Sequence, residues 1–261
     1  MKFMYRQTLG VGFGCLLTLM SYGQRLSDRN AIGWYTYNGN HNVGKNWAVH
    51  TEYQWRRIDL IQGWQQSLAR LGLVRNVSDR VKVSGGYTYF TTFPYGRYPQ
   101  AERGVPYSEH RLYEDIQLKD TYRRLELTHR FRLEQRWLAQ LSESDPRQVS
   151  TWAYQNRIRY QIAGKLALQG ATVDDNEWYV NFFDELFIGF GPNVNQNIYN
   201  QNRISGGLGY QFSDKFSVEL NYLNQIVQHA DPEPISQLPV FEYNNGFRLN
   251  VNYDLDFTKL R

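Results

Sequence analysis

Residues 123–137 read RRLELTHRFRLEQRW. Successive side chains of a β-strand point to opposite faces. Two-residue periodicity therefore puts Leu125, Leu127, His129, Phe131, Leu133, Gln135 and Trp137 on one face. Arg124, Glu126, Thr128, Arg130, Arg132, Glu134 and Arg136 fall on the other. A soluble strand tolerates such a charged face only against water. Strands of this kind recur along the chain with aromatic ends, and that combination predicts a membrane barrel.

The recurrence can be followed in order. A short aromatic strand is expected at 32–38 (IGWYTYN), then a turn, NGNHNVGKN. Residues 45–57 alternate Trp47, Val49, Thr51, Tyr53 and Trp55 with Ala48, His50, Glu52, Gln54 and Arg56. Further alternating segments are 65–76, 80–93, 109–118, 151 to about 170, 178–190, 202–212, 216–227 and about 245–257. The phase blurs at Ala163-Gly164, where a bulge is expected. Glu114 and Asp184 interrupt apolar faces without explanation from the pattern. NVSD, KDT, VDDNE and SDK form short turns, whereas 94–108, 139–149, 191–201 and 229–239 are longer loops. Short periplasmic turns alternating with long external loops are the habit of outer-membrane barrels. The count is about eleven, and the preference of single-chain bacterial barrels for even numbers gives an expectation of ten or twelve. The predicted class is all-β: a transmembrane antiparallel up-and-down β-barrel of about 10–12 strands.

Composition fits a barrel. Tyr 20, Phe 14 and Trp 7 make aromatics 16% of the chain, enough for girdles at two bilayer interfaces. Trp47, Trp55, Trp137, Trp152, Tyr210 and Tyr222 are the girdle candidates. A mean hydropathy of -0.62 argues against helical spans. It does not argue against a barrel, in which only alternate residues touch lipid. Residues 1–23 read as an export signal: Lys2 and Arg6, an apolar run from Leu9 to Met20, then Ser21 and Gly23 before a cut that leaves Gln24 first. The rest, 24–261, is expected to be a single barrel domain. Cleavage removes Cys15, the only cysteine, and lowers the formal charge from +4 to +2. The basic pI is therefore no argument for nucleic-acid binding.

Several stretches, taken in order, resemble the outer-membrane β-barrel family catalogued as domain of unknown function 2490: IGWYTYN with NWAVHTEYQWRR, THRFRLEQRW, NRIRYQI, FFDELFIGFG, NRISGGLGYQFSDKFSVELNYLNQ and the final alternating strand. The resemblance implies an export signal and a barrel in the outer membrane of a Gram-negative bacterium. It carries no established activity, so no catalytic residue transfers.

If the apolar faces meet lipid, the opposite faces line a lumen. The lumenal candidates are Glu126, Arg130, Arg132, Glu134, Arg136, Arg157, Arg159, Glu185, Arg203 and Glu219. Glu52, Arg56, Arg70, Arg111, Asp115 and Arg248 share their parity. Two roles compete. An Arg ladder on 123–137 and 150–162 would make a narrow channel for small, anionic solutes. Alternatively, Arg–carboxylate pairs would fill a narrow interior and leave a structural barrel. The expected partners are outer-membrane lipid and, during assembly, the outer-membrane insertion machinery, with no nucleic acid. No cofactor or metal is expected, since no H-x-x-x-H pair occurs and the acidic turn Asp174-Asp175-Asn176-Glu177 departs from calcium-loop spacing. The chain is not expected to be an enzyme, because G-x-S-x-G is absent. His50 near Glu52 is the one candidate for a lipid-modifying site. A secreted soluble barrel with an apolar ligand inside is the remaining alternative. Membrane extracts should show heat-modifiable electrophoretic mobility, and a protein confined to the soluble periplasmic fraction would refute the membrane reading.

Overall fold

The computed structural model describes residues 24–101 and 104–260, so the expected signal segment 1–23, with Cys15, lies outside the described residues. Eleven strands form one closed barrel. They are β1 (Leu26–Gly44), β2 (Trp47–Ile58), β3 (Gly63–Asn76), β4 (Val81–Thr92), β5 (Tyr107–Tyr122), β6 (Leu125–Leu141), β7 (Val149–Ala167), β8 (Glu177–Phe190), β9 (Tyr199–Ser213), β10 (Phe216–Gln228) and β11 (Val240–Tyr253). A single 3-10 turn, Phe257–Leu260, follows β11. Among the described residues no helix is long and apolar enough to cross a membrane.

Every neighbouring pair in chain order is antiparallel, while β1 closes on β11 in parallel, from Leu26 opposite Val240 to Asn38 opposite Asn252. The expectation of an even count is corrected here. An odd number of up-and-down strands sends the first and last strands the same way, so the barrel can shut only through a parallel pair. This became possible because β1 is far longer than the 32–38 segment predicted from sequence. The stretch NGNHNV is strand, paired with β2 through Asn42, and His41 lies in that strand rather than in a turn.

Other departures are local. The β5–β6 connection is Arg123-Arg124, not KDT, and Arg123 takes a positive φ of 55° to make it. No bulge forms at Ala163-Gly164. The β6–β7 register runs through both residues, and Gly164 instead leaves room for the Phe182 ring, which a Cβ there would meet at 2.3 Å. β11 begins at Val240 and ends at Tyr253, so Leu255 and Phe257 lie beyond it. The connections 59–62, 93–106, 142–148, 191–198 and 229–239 gather at one end, with the start of β1. The connections 45–46, 77–80, 123–124, 168–176 and 214–215 gather at the other, with the end of β11.

The outer wall is apolar. Leu71, Leu220 and Ile204 are each more than half exposed. From Leu125 to Trp137, β6 rises about 30 Å along the axis at a tilt of about 40°, which matches a hydrocarbon core. Aromatic rings cluster at both ends of the wall. Tyr35, Trp55, Trp64 and Phe93 make a contact chain at the long-loop end. Trp178, Tyr210, Phe212, Phe216 and Tyr253 make another at the short-turn end. The polar interruptions are paired across strands, as lipid demands of any polar group. Glu114 accepts from Gln135 (3.3 Å), Asp184 from Asn202 (2.6 Å), and His129 bonds Tyr160 (2.9 Å).

The parallel seam can be tested by crosslinking. Tyr35→Cys with Leu249→Cys, and separately Tyr37→Cys with Val251→Cys, should each oxidise to an intramolecular disulfide. An antiparallel seam allows one of these pairs to face, not both, so failure of either would refute the closure.

Candidate lumenal site

Eleven strands about 4.8 Å apart, tilted about 40°, close a tube about 22 Å across at the backbone. Side chains from opposite walls then nearly meet, so an Arg aimed inward has little water around it. Burying an unpaired charge costs several kcal/mol per ion. The lumen meets this constraint in two ways.

The first is shared carboxylates. On β5 and β6, Arg111 and Arg136 lie directly opposite one another, and so do Arg132 and Arg159 on β6 and β7. Like charges facing across strands would repel, but Glu109, Glu134 and Glu185 each bind two arginines, and the facing pair Arg132 and Arg159 turn to different carboxylates. Glu109 accepts from Arg111 (2.6 and 2.8 Å) and from Arg136 (2.5 and 3.1 Å). Glu134 accepts from Arg157 (2.5 and 2.8 Å) and Arg159 (2.7 Å). Glu185 accepts from Arg159 (2.6 and 3.0 Å) and Arg130 (2.6 Å), with Arg203 at 4.0 Å. Asp115 pairs with Arg132 and accepts from Ser84 (2.6 Å), while Glu52 pairs with Arg70. Glu109, Glu134 and Glu185 are each no more than 2% exposed.

The second is aromatic caps. Phe187 lies under Arg159 (4.4 Å), Arg203 (4.7 Å) and Arg157 (5.1 Å). Tyr113 lies under Arg132 (4.3 Å) and Arg70 (5.3 Å), Phe90 under Arg111 (4.0 Å), and Trp34 under Arg56 (3.8 Å) and Arg203 (4.9 Å). A desolvated guanidinium on a π face gains about 2 kcal/mol. Gly72 and Gly86 make room for Tyr113, since a Cβ on Gly72 would sit 2.2 Å from its hydroxyl. The sequence reading overlooked Trp34, Phe90 and Phe187 as lumenal residues. Their parity with Thr36, Thr88 and Glu185 was the available signal.

The long-loop end is covered. The 93–106 connection crosses from β4 to the β1–β11 seam. Asp28 accepts from the backbone N–H of Arg97 (2.8 Å) and Tyr98 (3.1 Å). Glu242 accepts from the Tyr95 hydroxyl (2.7 Å) and Gln100 (3.2 Å), and His229 reaches it at 2.6 Å. Burial, with Glu242 beside it, pushes the Tyr95 hydroxyl well above its usual pKa, so it stays a donor. Tyr95 and Ala101 are buried. The short-turn end is hollow. A cavity of about 410 Å³ in the middle of the barrel and one of about 420 Å³ below it share Asn38, Asn181, Glu219 and Asn252. The lower one reaches the turn residues Asp214 and Lys215. No described residue of 93–106 lines either.

The sequence-predicted lumenal residues fall in these zones. Arg130, Arg132, Glu134, Arg136, Arg157, Arg159, Glu185 and Arg203 meet in the charged network. Glu219 accepts from Tyr179 (3.0 Å) and Asn250 (2.8 Å) on the cavity wall. Glu126 sits at the short-turn rim, paired with Lys119 (2.6 Å) and far more exposed. Of the girdle candidates, Trp55, Trp137 and Trp152 lie toward the long-loop end, and Trp47 and Tyr210 toward the short turns. Tyr222 is placed mid-strand, donating to Asn245 (2.8 Å). His50 bonds Asn40 (3.0 Å) and approaches Glu52 (3.5 Å), without a serine among these partners. Glu177 of the acidic turn accepts the Asp174 N–H (3.2 Å), within the turn itself.

A family model described as "Protein of unknown function (DUF2490)" matches residues 32–235, from β1 to the loop after β10. The chain belongs to that family. The DUF2490 match thus covers ten of the eleven strands and the whole β5–β8 charge network. A comparison with curated proteins returns no match. Among solved structures, OmpT (in-vitro folded), an outer membrane protein of Vibrio cholerae, aligns at a TM-score of 0.35 and 11% identity, covering 77% of this chain and 57% of that one. The chain therefore spans little more than half the length of that protein.

Glu134→Gln strips the carboxylate from two buried arginines and should cost about 3–5 kcal/mol in urea unfolding of the detergent-folded barrel. Glu126→Gln, at an exposed pair, should cost about 0–1 kcal/mol. Equal costs would refute the ranking.

Proposed function

We propose that this DUF2490 barrel resides in the outer membrane, closed at its external end, and presents to the periplasm a polar vestibule that is cationic only in its deeper, arginine-lined part. The membrane location is supported by an apolar wall of bilayer height with aromatic clusters at both ends. Its lumen is charged and its exterior apolar, which counts against a soluble barrel with an apolar ligand inside. Outer-membrane lipid is then its main partner, reached through the insertion machinery that assembles such barrels.

The single observation that carries the closed reading is the 93–106 connection, tied across the mouth to Asp28 and Glu242. Below it the Arg–carboxylate network fills the upper lumen. The two roles expected from sequence therefore occupy different depths. The upper half is the structural plug, and the lower half is the space a small anionic solute can enter from the short-turn side. Catalysis is not part of this reading, because Glu52, the one carboxylate beside His50, is committed to Arg70 and Gln54.

In planar bilayers the purified protein should show no step conductance above leak. Replacing residues 94–104 with a short Gly-Ser linker should leave conductance at leak, because the Arg–carboxylate network beneath still fills the upper lumen. Steady conductance in the unmodified protein would overturn the closed reading in favour of an open channel.

A further inference from the structure

Among the described residues, not every lumenal arginine is matched by a carboxylate. Arg56 bonds the amide oxygens of Gln54 (2.7 Å) and Gln66 (2.5 Å). Arg203 has only the distant Glu185, already held by Arg159 and Arg130. Arg248 rests 5.7 Å from the Phe183 ring centroid. The three converge around Trp34. Arg56 and Arg248 are its cross-strand neighbours on either side, and both Arg56 (3.8 Å) and Arg203 (4.9 Å) lie against its indole ring. The middle cavity is lined by nine arginines and Lys82 against four carboxylates, and although Glu109, Glu134 and Asp115 behind its wall hold four of those arginines, cations remain in excess. It also holds buried polar atoms without a hydrogen-bond partner: the donors Arg203 Nε, Arg248 Nε and Asn181 Nδ2, and the acceptors Asn221 Oδ1 and Asn250 Oδ1.

From this convergence of surplus guanidinium charge and unused N–H groups on a lumenal cavity, we propose that this lumen contains a binding site for a phosphate-class dianion, held by Arg56, Arg203 and Arg248. Guanidinium forks match oxyanion edges, which a spherical chloride ion cannot exploit. The spare amide oxygens suit an anion that also carries a hydroxyl, as hydrogenphosphate does. Access is from the short-turn end through the lower cavity. The site deepens the vestibule reading and rests on it.

The test is calorimetric titration of the full-length, detergent-purified protein with inorganic phosphate near neutral pH. Saturable binding is expected, with chloride a poor competitor. The Arg203→Gln/Arg248→Gln double variant should bind at least about tenfold more weakly. Arg80→Gln, at an exposed turn, should bind as the parent does. Heat-modifiable mobility certifies that each variant is folded. Should the double variant fail that check, Arg248→Lys keeps the charge, loses the fork, and should still weaken binding severalfold. No saturable binding, or unchanged binding in the folded arginine variants, overturns the site. Steady bilayer conductance would overturn the closed mouth while leaving this titration to stand or fall alone.

Discussion

A guanidinium facing inward from a narrow barrel has lost most of its water and must recover that energy from its neighbours. The rest of this lumen follows from that constraint. Glu109 on β5, Glu134 on β6 and Glu185 on β8 each hold two arginines, some directly opposite, as Arg157 is to Glu134, and some where the register sets Arg111 against Arg136. Trp34, Phe90, Tyr113 and Phe187 add π faces, both to arginines that hold a carboxylate and, at Trp34, to Arg56 and Arg203, which have none close by. Such networks give little net stability over an apolar filling, yet they are costly to break once built. The same interactions fix strand register, because a one-residue slip would turn every lumenal Arg to the apolar outer wall.

The wall and the lumen are two consequences of one periodicity, but closure is not. An antiparallel meander can grow without limit until its edges meet. Here the edges are β1 and β11, and they meet in parallel. Gly246 on β11 lies opposite both Ile32 and Leu223, and Ile32, Trp34 and Leu223 form a small apolar cluster beside the seam. The seam is thus supported from inside by packing as well as by its ladder. At the long-loop end the same two strands supply Asp28 and Glu242, so the seam also anchors the connection that covers the mouth.

Much of this was legible in the sequence. The faces of β2, β6 and β8 follow from alternation alone, since a charged parity opposite an apolar one has only one arrangement in lipid. The Asn- and Gly-rich end of β1 was not legible. NGNHNVG has turn composition, and only pairing with β2 makes it strand. Asp184 and Glu114 broke the pattern because their partners, Asn202 and Gln135, sit on neighbouring strands beyond the reach of local periodicity. The aromatic caps were hidden for a related reason. Girdle logic assigns aromatics to lipid, while Phe187 and Trp34 serve guanidinium groups inside. Surplus charge at Arg56, Arg203 and Arg248 could be counted only once the carboxylates had been allotted to other arginines.

The central claim is a lumen sealed at one end and open at the other, and sidedness of access tests it most directly. Asn252 lines both cavities. With Asn252→Cys as the sole thiol in the mature barrel reconstituted in oriented vesicles, a membrane-impermeant thiol reagent should label it from the short-turn side alone. Equal labelling from the long-loop side would contradict the account.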